Sequence, residues 1–373
     1  MPILARHYTT GRPLAIEVVD GRIASATDAI DSPTLPYIAP SFFDPQINGC
    51  LGFGFVSPNL NEAAIRTIAD TCARHGIGAF APTLITSSFE TIQHGFQTLS
   101  QVLDADAELR RRMPVFHLEG PYISGDDGPR GAHPKAHTRD PDWDEFRRWQ
   151  DAAGGRIRMV TVAPERHGTM AFIERLTASG VVVAIGHTAA TGVQIRDAVT
   201  AGAKTSTHLG NGCHATLPRH ENVIWEQLAN DGLCASLIPD GHHLPATVVQ
   251  SFVRAKTVAR ILITCDAGNL AGLPPGRYND WGTDLEVLPN GKIVVPGTPY
   301  LAGSGSFTDS CIGHMVRMAG VTLAEAIDMA AVRTRELLRL PVPTLAVGEV
   351  ADFIVFEWDG NAVKIGTSFR RPS

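Results

Sequence analysis

Along most of this chain, short apolar runs alternate with longer stretches in which apolar residues recur every three or four positions. The runs open near Tyr37, Gly78, Pro114, Ile157, Val181, Lys204, Leu233 and Arg260, eight in all, and their length and β-branched content suit strands. Between and after them, helical periodicity marks 61–75, 89–103, 170–179, 191–201, 245–255 and 323–338. Strand and helix in alternation build parallel βα units. An open doubly wound sheet fits poorly, because no G-x-G-x-x-G turn opens the first unit and polar clusters recur at most strand ends. The pattern therefore predicts an α/β fold, a (β/α)8 TIM-type barrel.

The two chain ends follow a different rhythm. Residues 14–26 (LAIEVVDGRIASA) read as two strands joined at Asp20-Gly21, a hairpin turn. Residues 347–356 and 362–365 again run in strand lengths around Asp359-Gly360. Pairing the two fragments buries both, which predicts a small β-sandwich domain from residues 1–39 and 342–373 beside a barrel at 40–341.

Size and composition agree with this picture. The chain has 373 residues, which suits a barrel of about 250 residues plus a small unit. With 44% hydrophobic and 19% charged residues, a large core can form and disorder is excluded. The net charge of −6 comes from 32 basic and 38 acidic residues without a long single-sign run, so nucleic acid and anionic membranes are not expected partners. No segment approaches the roughly 20 apolar residues of a membrane span and the N-terminus lacks a leader pattern, so a cytoplasmic location is expected. Six cysteines without a C-x-x-C pair read as reduced, buried thiols.

In a parallel barrel the active site is assembled where strands end. MPVFHLEGPYIS places His117 and Glu119 there, VVVAIGHTAAT places His187, AKTSTHLGNGCH places His208, and ILITCDA places Asp266. Glu119, His187 and His208 make a sufficient ligand set for one divalent cation, which typically takes about three protein ligands and a water. Asp266 suits the proton transfers such a site requires. A lone strand-end histidine is more often structural; several on separate strands shift the balance. His242 and His243, after Asp240-Gly241, are placed to orient a carbonyl, and His133 lies in a Gly/Pro-rich loop near the expected mouth. His7, His75, His94, His167 and His314 read as structural or exposed, and Trp143, Trp149 and Trp225 as helix packing.

The motifs HLEGPYIS, IGHTAAT, THLGNG, PDGHH, TCDA and LAGSGS, in this order, resemble those of the N-acetylglucosamine-6-phosphate deacetylases of the amidohydrolase superfamily. The resemblance implies metal-dependent removal of acetyl from an N-acetylated amino sugar, with one divalent ion, zinc first and iron, cobalt or nickel as alternatives, and a homodimer. It implies that Glu119, His187 and His208 hold the metal, that Asp266 is general base and then acid, and that His243 acts on the acetyl carbonyl. Gln46, His133, Asn211, Gly212, Arg219 and His220 fall on its substrate side.

Two departures qualify the resemblance. Where many superfamily members have His-x-His for a second metal, this chain reads FFDPQING, with Gln46 and Asn48 in those places, so one metal is expected. Where the family commonly has an arginine for the 6-phosphate, LPRHENVIW places His220, with Arg219 one residue earlier. Either Arg219 or Arg130 then supplies the charge, or the substrate is an unphosphorylated N-acyl amino sugar; Asp126 and Asp127 in SGDDGPRG would oppose a dianion. A catalytically silent scaffold barrel is the alternative of another class.

Overall fold

In the computed structural model, which describes residues 1–280, 283–298 and 301–369, the barrel strands are Phe42–Ile47, Ile77–Ile85, Phe116–Glu119, Ile157–Val162, Val182–Ile185, Thr205–Ser206, Cys234–Leu237 and Ile261–Ile263. Each pairs in parallel with the next. Their residues are almost all buried, as expected for strands covered by helices outside and by packed side chains within. The first and last strands meet at a seam, where a parallel bridge joins Ile47 to Ala267. Asn48 and Gly49 both donate their amides to Ala267 O, at 3.0 and 3.2 Å.

One expected strand is reassigned. The run opening at Tyr37 is two strands: Tyr37–Pro40 belongs to the end sheet, and the barrel begins only at Phe42. Periodicity cannot divide a continuous apolar run whose neighbours lie in different sheets. The end sheet is six-stranded, in the order Val363–Phe369, Phe353–Trp358, Tyr37–Pro40, Ile3–His7, Pro13–Val19, Arg22–Asp28, so both chain ends contribute to it. Its hairpin turns at Asp20 and Gly21, with φ of 49° and 69°, the left-handed pair that matches strand twist.

Helices occur at all six expected places, and four of them start at side chains that satisfy free amides. Asn61 caps Glu62–Arg74, and Thr191 and Thr322 form capping boxes with Gln194 and Glu325. The last expected helix is broken into Leu323–Ala331 and Arg333–Leu337; the buried Arg335 guanidinium bonds Ala331 O, beside the break, and Ser41 O. Helices Trp143–Ala152 and Val223–Ala229 carry the three tryptophans read as helix packing, whereas helices Ala107–Arg112 and Thr308–Ala319, and a small antiparallel sheet of Gly276–Asp280, Thr283–Val287 and Ile293–Val294, were not anticipated. Trp149 is fully buried as expected, whereas Trp225 is 53% exposed. Among the described residues the six cysteines form no disulfide. No helix of the described residues is long and apolar enough to cross a membrane.

Candidate metal centre and active site

Glu119 ends its strand, His187 and His208 follow theirs, and Asp266 lies just past the eighth. All four are buried. His187, His208 and Asp266 also hold left-handed backbone, with φ of 49°, 27° and 51°, a conformation costing on the order of 1–3 kcal/mol for such residues. Specific bonds maintain it. His208 N donates to Ser236 Oγ at 2.7 Å and Asp266 N to Thr264 Oγ1 at 3.1 Å. The turns swing the side chains from the strand direction into the barrel mouth.

There the atoms converge. Glu119 Oε1 is 3.2 Å from His187 Nε2 and 3.0 Å from His208 Nε2, and the two Nε2 atoms are 3.1 Å apart. His187 Nδ1 faces Pro129 O at 2.9 Å; a carbonyl only accepts, so Nδ1 carries a hydrogen and Nε2 is the ring atom turned toward Glu119. Three lone-pair atoms at these distances, away from water, require a cation or a proton among them. Metal–ligand bonds of about 2.0–2.2 Å place neighbouring donors roughly 3.0–3.5 Å apart, so the residues fit one divalent ion. Among the described residues the buried His208 Nδ1 has no hydrogen-bond partner.

The electrostatics say the same. Burial opposes ionisation of Glu119, but bonds and charge from His187 and His208 outweigh it and hold the carboxyl well below its ordinary range. Burial likewise pushes His208 down, and Glu119 more than restores it, leaving its pKa raised. The cluster favours positive charge at its centre.

His133 joins this group from the loop. One ligand atom from each of Glu119, His133 and His187 lies within 4.8 Å of the others, a looser set than the trio with His208. The His133 ring packs 4.3 Å from that of His187, and its Nδ1 pairs with Thr86 Oγ1 at 2.8 Å. Burial, and then the charge of His187, lowers its pKa to about 3, so the ring is neutral.

Asp266 is held from the first strand. Gln46 Nε2 and Asn48 Nδ2 both donate to its Oδ1, at 2.9 and 2.7 Å. The positions where a second metal's histidines would stand thus carry amides aimed at Asp266, and Gln46, expected on the substrate side, is buried and bonded to this carboxylate. Burial, then the charge of Glu119, raises the pKa of Asp266 to about 7. Opposite, His243 Nδ1 is 2.8 Å from Asp240 Oδ2, while Asp240 Oδ1 accepts the amides of His242 and His243. Burial opposes ionisation of Asp240, yet the bond and charge of His243 keep its pKa well lowered.

The remaining candidates divide. Asn211 donates to His208 O at 3.1 Å. Gly212 sits against the His187 ring: a Cβ there would fall 2.8 Å from Nδ1, at a φ of 57°. Arg219 and His220 are exposed on the loop before Val223–Ala229, and neither side chain makes a hydrogen bond or ion pair among the described residues. Arg130 is engaged by Asp127 at 2.6 Å and by His133 O, so loop cation and loop anion offset each other. The sequence reading missed Thr86, Pro129, Asp240 and Thr264; of these only Asp240 left a trace, its three-residue spacing to His243.

The chain matches the amidohydrolase family model over residues 37–368. It is 34% identical over 335 residues to the N-acetylglucosamine-6-phosphate deacetylase of Bos taurus, covering 86% of this chain and 79% of the relative. To the N-acetylgalactosamine-6-phosphate deacetylase of Escherichia coli O157:H7 it is 30% identical over 329 residues, covering 87% and 84%. The crystal structure of N-acetyl-D-glucosamine-6-phosphate deacetylase from Mycobacterium smegmatis aligns with a TM-score of 0.88 at 27% identity, covering 99% of both chains. A mutant of that enzyme in complex with N-acetyl-D-glucosamine-6-phosphate aligns at 0.87 and 27%, covering 99% of this chain and 98% of that one.

Proposed function

This chain belongs to the amidohydrolase family and, within it, to the N-acetylglucosamine-6-phosphate deacetylases, and from that premise we propose that it hydrolyses the acetamide of an N-acetylated amino-sugar 6-phosphate at one divalent cation held by Glu119, His187 and His208. The observation that carries the reading is the convergence of three buried donor atoms, 3.0–3.2 Å apart, beside a carboxylate pinned by two amides. When bound, the cation acidifies water and polarises the amide carbonyl. Asp266 takes the proton of the attacking water and returns it to the departing nitrogen, and a pKa near neutrality suits both transfers. Gln46 and Asn48 occupy one oxygen of Asp266, fixing its plane. With Nδ1 turned to Asp240, His243 offers Nε2, which donates to the acetyl carbonyl when the ring is protonated. Asn211 and Gly212 border the sugar.

A second reading, an unphosphorylated N-acetyl amino sugar, rests on Arg219 and His220: where the family resemblance expects one arginine, two exposed side chains without fixed partners stand instead. The test is acetate release by metal-replete protein from N-acetylglucosamine 6-phosphate, N-acetylgalactosamine 6-phosphate and N-acetylglucosamine, compared as kcat/KM. Preference for a phosphorylated sugar is expected. Preference for the free sugar establishes the second reading, and no acetate from any of the three overturns both.

A further inference from the structure

Beneath the site lies a buried carboxyl group that the chemistry above does not use. Asp44, in the first barrel strand, has no solvent exposure, and no basic side chain bonds it among the described residues. Four donors surround it instead. Its Oδ1 accepts Gln46 N at 3.0 Å and Thr264 Oγ1 at 2.6 Å; its Oδ2 accepts Cys265 N at 2.9 Å and Thr308 Oγ1 at 2.7 Å. These groups come from the first strand, from the segment after the eighth, and from the first residue of the helix Thr308–Ala319. Asp44 therefore ties together the two sides of the seam, where a single bridge stands in for a ladder of paired residues.

We propose that Asp44 is a positioning residue for hydrolysis, holding Asp266 and its amide partner Gln46 in one fixed geometry. The inference rests on the assignment of proton transfer to Asp266. Two routes connect them. In the first, Asp266 N donates to Thr264 Oγ1, whose own hydrogen goes to Asp44, so the left-handed turn at Asp266 ends on this carboxylate; a longer approach of the same hydroxyl to Gln46 O, 3.3 Å, strengthens the seam. In the second, Gln46 N is held by Asp44 while Gln46 Nε2 holds Asp266 Oδ1. Each carboxylate oxygen faces one backbone N–H, which can only donate. An amide in this place, as in Asp44→Asn, must turn its NH2 toward one of those donors whichever way it lies. A carboxylate is the group that satisfies all four.

Because Asp44→Asn endangers folding, the decisive pair is Thr264→Val and Thr308→Val. Both remove one hydroxyl from Asp44, and only the first is bonded to Asp266. Thr264→Val is expected to lower kcat at least tenfold with KM within threefold and divalent-metal content unchanged, while Thr308→Val keeps kcat within threefold despite a comparable loss of Tm. Equal losses of kcat in the two variants, or a Thr264→Val enzyme within threefold of the parent, overturn the proposal. If the parent releases acetate from none of the sugars, the assigned reaction fails on its own, and crystal structures of the two variants decide the positioning. Asp266 displaced from its contact with Gln46 in Thr264→Val alone supports it, and Asp266 unmoved refutes it.

Discussion

The strand-end cluster and the loop 213–222, which follows one of its members in sequence, are held in opposite ways. Each cluster side chain has two or more restraints: Glu119 lies between two imidazoles, His187 between Pro129 O and Glu119, and Asp266 under two amides with its backbone bonded to Thr264. In the loop, Arg219 and His220 are exposed, and among the described residues Arg219 is bonded through its carbonyl, which accepts from Trp225 at 3.4 Å. A group that must transfer protons at fixed distance needs a rigid shell. A group that grips a distant substituent by charge works from a looser tether. On the function proposed above, the cluster would set the reaction type and the loop the choice of substrate.

The largest expected effect is on turnover. Asp266→Asn preserves shape and the backbone bond but removes the proton acceptor, so kcat should fall by about a thousandfold or more, roughly 4 kcal/mol in the barrier, with metal content intact. Ala at Arg219 or His220 should instead act mainly on KM. Steady-state kinetics on the three proteins decide it: near-native kcat in Asp266→Asn would remove Asp266 from the chemistry and collapse the contrast.

A smaller effect, in stability, sharpens the same contrast. Asp266 ionises near pH 7 in the metal-free fold and near 3.9 in an unfolded chain. Between those values the folded state binds more protons, so metal-free protein should lose stability as pH rises from about 4 to about 7 and then level off. Asp266→Asn should be more stable than its parent at pH 8 by an amount on the order of 2–4 kcal/mol, with the gap closing toward pH 4. Urea denaturation at the two pH values measures this. A constant gap would mean that burial of charge is not what strains the site.

The contrast also explains what could be read before the fold was known. Glu119, His187, His208 and Asp266 stood out because strand ends in a barrel share one rim, so chain order alone brings them together. Asp20-Gly21 was legible because its turn needs left-handed backbone. The barrel's true start at Phe42 was not, since YIAPSFF is apolar apart from Ser41 and only pairing separates Tyr37–Pro40 from Phe42–Ile47. The bond from Gln46 to Asp266 was not legible, because it crosses the seam to a residue more than two hundred positions away, a contact no local pattern encodes. Pro129 acts through a backbone carbonyl, which every residue possesses, so its role in fixing the His187 tautomer leaves no mark in sequence.

The smallest effect concerns His220. An imidazole supplies neither the permanent charge nor the forked geometry with which an arginine binds phosphate. If the loop governs substrate choice, His220→Arg should raise kcat/KM for N-acetylglucosamine 6-phosphate by about tenfold, roughly 1.4 kcal/mol, and leave the unphosphorylated sugar within twofold. The gain should shrink with added salt, because the new contact is an exposed charge pair. If Arg219 already holds the phosphate from its neighbouring position, the substitution should change little, while Arg219→Ala should raise KM for the phosphorylated sugar alone. An equal change for both sugars would show that position 220 acts through the cluster, and the division between a rigid reaction centre and a tuneable loop would fail.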